Sequence, residues 1–176
     1  ADVAGTGFLF REGRGGQDEL WLYVPALKRA RRIVGRARHG RFLGSDFTYA
    51  DLEAQELRAS TLTRLTDAPV GRFACRVVEA RPLASAGSEY GRIVAWVRKD
   101  NGVAIRLKMY SPAGALLKVL FVRRLGTGAG GRPVITETRM ASESEGTSTL
   151  MTVLRTRPLT GSTADLFTER NLSRGL

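Results

Sequence analysis

His39, the single histidine of the 176-residue chain, stands shortly before the adjacent pair Ser45 and Asp46 in the string FLGSDFTYADL, 42–52. A hydroxyl, an imidazole and a carboxylate are the parts of an acyl-transfer triad. Triads are assembled by folded geometry, so nearness in sequence argues little for one, and GSDF is not the G-x-S-x-G elbow. A plainer reading needs less. Gly44 permits a turn, Ser45 and Asp46 can accept from backbone amides, and Thr48 with Asp51 three residues later forms a variant capping box. The stretch reads as architecture, and no catalytic residue is assigned. One histidine and one cysteine, Cys75, cannot build a zinc site or an internal disulfide, and no calcium-loop spacing of acids occurs. The glycine loop GTGAGG, 126–131, lacks the Lys-Ser/Thr of a phosphate loop and joins two strands. No metal or cofactor is expected.

Charge is the other chemical signal. The chain carries 28 basic and 17 acidic residues, a formal net of +11, and lysine occurs only at 28, 99, 108 and 118. Such a surface attracts polyanions: nucleic acid, anionic lipid or an acidic protein. The densest run, KRARRIVGRARHGR at 28–41, holds Lys28, Arg29, Arg31, Arg32, Arg36, Arg38 and Arg41. Stacking platforms for nucleic acid are not interleaved with it; Phe42, Phe47 and Tyr49 lie just beyond. No zinc-finger, basic-zipper or RNA-recognition pattern is present, and nucleic acid is not the expected partner.

The elements that must position these residues are mostly strands. Two-residue alternation marks FACRVV (73–78), RIVAWVR (92–98), VAIRLKMY (103–110), LLKVLFVR (116–123), VITETRM (134–140) and STLMTVLR (148–155). Turn chemistry links them at DNG (100–102), SPAG (111–114), GTGAGGR (126–132) and SESEGT (142–147), which predicts an antiparallel meander. GTGFLF and ELWLYV flank the glycine-rich GRGGQD as a further hairpin. Helices are expected over 48–57 and over 162–172, the latter capped by Ser162 or Thr163. The expected fold is mainly β (α+β): a curled antiparallel sheet forming an incomplete barrel with a few helices, as one domain over 1–176. No run of about 18 apolar residues is present. The chain opens on structure-forming sequence without a signal peptide, which suggests a trimmed N-terminus.

Even-numbered hairpin loops predict that Val94, Trp96 and Arg98 share a face with Ile105, Leu107 and Met109, and that Leu116, Leu120 and Val122 join them. A curled sheet with one oily face either packs on itself or encloses a ligand, and composition does not choose.

The strings YVPALKRARRI, FLGSDFTYADL and DLFTERNL, with CRVVEARP and RIVAWVRKDNGVAIRLKMYSPAGALLK between them, resemble the bacterial outer-membrane lipoprotein-sorting proteins of the LolA-like superfamily over essentially the whole chain. The resemblance implies a LolA/LolB-like incomplete barrel, and a periplasmic carrier that shields acyl chains of a lipid or lipoprotein without cofactor or covalent chemistry. Its implied partners are an inner-membrane export system and an outer-membrane acceptor. On that reading Val94, Trp96, Ile105, Leu107, Met109 and Leu120 line the cavity, with Arg29, Arg31, Arg32, Arg36 and Arg38 as a basic rim. Family members carry a helix and further strands ahead of the GTGFL stretch, so a domain without its N-terminal part is expected here. The alternatives are a basic module for an acidic partner or nucleic acid using 28–41, or a ligand-free periplasmic partner subunit.

Overall fold

The computed structural model describes residues 3–11, 18–53, 59–156 and 166–174. Its contacts divide the chain into two compact units, taken in turn.

The first unit contains a three-stranded antiparallel sheet in the order β1 (Gly7–Arg11), β2 (Glu19–Val24) and β3 (Arg29–Ile33). Alternation sends Leu20 and Leu22 of β2 to one face, where Ile33 and Tyr49 complete a buried cluster with Phe8, Phe10, Val24, Phe42 and Leu43 packed against it. Phe42 stands edge-on to both Phe8 and Tyr49, at 5.6 and 5.5 Å between centroids. The aromatic ends of FLGSDFTY are therefore core anchors. Between them the chain turns through left-handed backbone at Leu43 (φ 52) and Gly44 (φ 78). A bridge between Arg41 and Thr48 closes the loop.

The helix expected over 48–57 is, within the described residues, a single 3₁₀ turn at Ala50–Leu52. Its capping box is present: the Thr48 amide donates to Asp51 Oδ2 at 2.8 Å, and the Asp51 amide donates to Thr48 Oγ1 at 3.2 Å. The short helix α1 (Glu169–Ser173) takes Thr168 as its cap, accepting from the Asn171 amide at 3.2 Å. The expected caps Ser162 and Thr163, and most of the GRGGQD link, lie outside the described residues. Leu172 of α1 packs so closely on β1 that a Cβ at Gly7 would stand 2.7 Å from its Cδ1.

The second unit is a seven-stranded sheet formed by β4 (Ser60–Leu65), β5 (Cys75–Pro82), β6 (Arg92–Arg98), β7 (Ala104–Tyr110), β8 (Leu116–Thr127), β9 (Pro133–Ser142) and β10 (Thr147–Thr152). Every neighbour follows its predecessor in sequence, so the expected meander is realised; the sheet ends open at β4 and β10 rather than closing into a barrel. The glycine loop joins β8 to β9 through a turn at Ala129–Gly131, as its composition suggested.

The strand β4 was not foreseen: STLTRL is an exposed edge strand whose threonines and arginine give no hydrophobic alternation. At DNG the loop closes with the Gly102 amide on Arg98 O at 3.0 Å, and Gly102 has φ 73. Gly91 is small for a different reason, because a Cβ there would stand 2.6 Å from Pro112 Cα. Backbone cannot step aside as a side-chain tip can. Gly91→Ala is expected to lower stability by about 1–3 kcal/mol in chemical denaturation, the range for overpacking; an unchanged midpoint would refute the contact.

Candidate functional site

Pairing register decides which side chains meet. Across β6, β7, β8 and β9, Ala95 stands opposite Leu107, Leu107 opposite Leu120, and Leu120 opposite Met140. The next row runs Ile93, Met109, Lys118 and Ser142. This "methionine face" buries Ile93, Ile105, Met109 and Met140, and leaves Leu107 and Leu120 half-buried. The Lys118 ammonium stands 3.9 Å from Glu89 and 5.8 Å from the Tyr90 ring.

The other side of the same strands is chemically different. Val77, Trp96, Arg106, Phe121, Arg139 and Leu150 form one row across β5 to β10. On this "arginine face" Arg106 lies 5.0 Å from the Trp96 ring and 5.3 Å from Phe121, and Arg92 rests 3.9 Å over Tyr110. Arg98 rests 3.8 Å over Phe73 and pairs with Asp100, whose carboxyl its hydrogen bond holds below the ordinary aspartate value. Each such cation–ring contact contributes about 0.5–2 kcal/mol.

The six residues expected on one wall therefore divide. Ile105, Leu107, Met109 and Leu120 share the methionine face, whereas Val94 and Trp96 belong to the arginine face. The cause is a bulge. Val97 pairs with Ala104, in the register that the DNG loop predicts, but the pairing shifts between Val97 and Trp96, so that Trp96 meets Arg106. A second shift between Met109 and Tyr110 puts Leu116 opposite Tyr110, again away from its expected side. Leu120 and Val122 lie where expected.

Ser45–Phe47 group with the seven-stranded unit. Asp46 is buried. Thr147 Oγ1 donates to its Oδ1, Thr149 Oγ1 donates to its Oδ2 at 2.6 Å, and the Asp46 amide donates back to Thr149 Oγ1 at 2.9 Å. Ser45 Oγ accepts from the Phe47 amide at 3.3 Å, the turn role its position suggested. The Asp46 carboxylate is thus engaged by β10, a partnership across about a hundred residues that no local motif announces. Thr147 and Thr149 stand opposite Ser142 and Met140, at the β10 end of the methionine face.

The expected basic rim is distributed over β3 and the turn Gly35–His39. Arg32 reaches Glu19 at 3.4 Å and Arg38 reaches Glu53 at 2.9 Å. Arg29, Arg31 and Arg36 are exposed. Burial raises the Glu53 carboxyl above its ordinary 4.5, opposed by Arg38.

Comparisons with known proteins fit this architecture. A family model described only as an uncharacterised protein matches residues 1–174. The fold superimposes on a Vibrio parahaemolyticus domain described as an outer membrane lipoprotein-sorting protein, at 32% identity and TM-score 0.88, covering 98% of this chain and 73% of that one. A DUF1329 family protein from Desulfovibrio piger matches at 28% identity and TM-score 0.86, covering 98% of this chain and 72% of that one. A LolA superfamily protein from Nitrosomonas europaea shares the fold at 20% identity and TM-score 0.58, covering 85% and 66%. No curated protein matches the sequence.

Asp46→Ala deprives two threonine hydroxyls of a charged acceptor, and is expected to cost about 2–3 kcal/mol in denaturant unfolding, with Asp46→Asn losing less. Equal stability of all three proteins would refute a stabilising role for the Asp46–threonine contacts. Glu53 makes a separate test. Its folded carboxyl holds the proton more tightly than the unfolded chain does, so stability falls as pH rises from 4.5 into the raised range. The lowered Glu19 and Asp67 act at lower pH and with the opposite sign. Thermal melts between about pH 4 and 7 should show a downward slope that Glu53→Gln flattens; an unaltered slope would assign it to another group.

Proposed function

The chain belongs to the family of outer membrane lipoprotein-sorting protein domains, and from that membership we propose that it is a carrier holding the acyl chains of a lipid or lipoprotein on the methionine face of its large sheet. The observation that carries this reading is the apolar cross-strand row Ala95, Leu107, Leu120 and Met140, with Ile93 and Met109 beside it in the next row. Leu107 and Leu120, half-buried in the middle of those rows, are the side chains an acyl chain would meet first. Methionine adapts its shape to irregular hydrocarbon more readily than branched side chains do. Each methylene buried there contributes about 0.8 kcal/mol, so a long chain can be held without polar specificity.

On this reading the site comprises Ile105, Leu107, Met109 and Leu120 from the original set, with Ile93 and Met140 added; Val94 and Trp96 act on the other face. The protein works in the periplasm, receives cargo from an inner-membrane export system, delivers it to an outer-membrane acceptor, and performs no covalent chemistry. Arg29, Arg31 and Arg36 offer exposed positive charge to a phosphate or an acidic donor.

Displacement of a fluorescent fatty acid tests the assignment. Leu107→Asp is expected to weaken binding about tenfold or more, equivalent to losing the burial of roughly two methylenes, while Trp96→Ala leaves affinity unchanged. Affinity should also hold nearly constant between low and high salt, unlike phosphate-backbone binding. A folded Leu107→Asp protein that binds like the parent, or a loss confined to Trp96→Ala, would overturn it.

A further inference from the structure

At one end of β8, β9 and β10 the arginine face changes character. Arg123 and Arg139, with Glu137, Ser148 and Leu150, line a groove of about 320 Å³. The strand register slips at Arg123, between the pairs Val122–Thr138 and Arg124–Glu137, and Arg139 Nη2 donates to Ser148 Oγ at 3.1 Å. Arg124, Arg132 and Arg155 stand exposed on the same segments. Among the described residues none of these five arginines has an ion-pair partner, although Glu137 lies in the groove. Elsewhere on the face the cations are engaged by rings or acids.

Exposed apolar side chains accompany this charge. Leu150 is 57% exposed and sits opposite Arg139, Ile135 is 40% exposed, and Leu154 is 94% exposed. The chain keeps its register beyond β10, with the Val153 amide donating to Thr136 O at 2.9 Å, which brings Leu154 level with Ile135. Unpaired arginines beside outward-pointing leucines match an anionic bilayer surface: the guanidiniums meet headgroup phosphates while the leucines enter the acyl boundary. An acidic protein would satisfy the charge and leave a 94%-exposed leucine without a purpose. The β3 segment also pairs arginines with exposed Leu27 and Val34, yet two of its arginines are already held by Glu19 and Glu53.

We propose that the Arg123–Arg139–Leu150–Leu154 surface docks the protein on anionic membranes. This contact lies on the face opposite the acyl-chain rows and does not depend on that reading.

Co-sedimentation with vesicles of phosphatidylcholine alone, or of phosphatidylcholine mixed with phosphatidylglycerol, tests it. The parent chain is expected to bind only the anionic vesicles. Arg123→Gln with Arg139→Gln should lose roughly 25-fold, about fivefold for each arginine at a charged surface. Leu154→Ser, at a position too exposed to affect folding, should lose roughly fivefold with every charge intact. The triple change Arg29→Gln, Arg31→Gln, Arg36→Gln should lose less than the Arg123/Arg139 change does. Failure of the parent to bind anionic vesicles would overturn the proposal. So would binding that survives the Arg123/Arg139 change, or loss only in the triple variant. Sensitivity to the arginines without sensitivity to Leu154 would reduce the contact to plain electrostatic adsorption and equally sink it.

Discussion

In an antiparallel sheet nothing but parity separates one face from the other, and parity is conserved along a strand only until a residue is inserted. The seven-stranded sheet depends on this. One shift beside Trp96 moves that ring from the oily rows to the company of Arg106 and Lys108, and a second beside Met109 sends Leu116 to the side of Tyr110. Between the two shifts, β6, β7 and β8 stay in step long enough for Leu107, Met109, Leu120 and Met140 to fall on one side. The result is a sheet with two different chemistries, one of thioethers and aliphatics and one of guanidiniums laid over rings.

The segment FLGSDFTYADL shows how a short string serves several structural demands at once. Phe42 and Tyr49 close an aromatic cluster on β1, the left-handed pair Leu43–Gly44 reverses the chain, and Thr48 with Asp51 caps the turn that follows. Asp46, buried between them in sequence, is occupied by two threonine hydroxyls from β10. A buried carboxylate is costly unless hydrogen-bonded, and donors delivered by a strand end fix both the acid and the strand. The residues that first suggest a nucleophile and its acid are thus accounted for by turn, cap and clasp geometry.

What could be read beforehand follows from which interactions are local. Alternation, DNG, SPAG and the Thr48–Asp51 spacing are local, and the meander and the capping box stand where they indicate. The bulges are not local: nothing in RIVAWVR marks the place where pairing slips, because the slip is a compromise between two strands and the twist they share. The Asp46 partnership with Thr147 and Thr149 was hidden for the same reason, since neither threonine carries a motif. The edge strand STLTRL carries no sequence signal because an exposed edge needs no hydrophobic alternation to pair with β5. Four of the six expected wall residues therefore fall on one face, while the departure of Val94 and Trp96 to the other was not legible.

A net charge of +11 says that the protein is attracted to anions without saying where. The structure sorts the cations by what already holds them. Arg92, Arg98 and Arg106 spend their charge on Tyr110, Phe73, Trp96 and Phe121, while Arg32 and Arg38 are tied to Glu19 and Glu53. A guanidinium seated on a ring has one face covered and part of its hydration gone, so it gains less from a new anion than one still in water. Contact with a charged surface falls to cations not held in this way, among them Arg123 and Arg139 and those along the outer side of β3. Of these two places, the first has a groove beside it and a leucine almost wholly in solvent. Charge brings such a surface to a bilayer, and apolar area decides whether it stays.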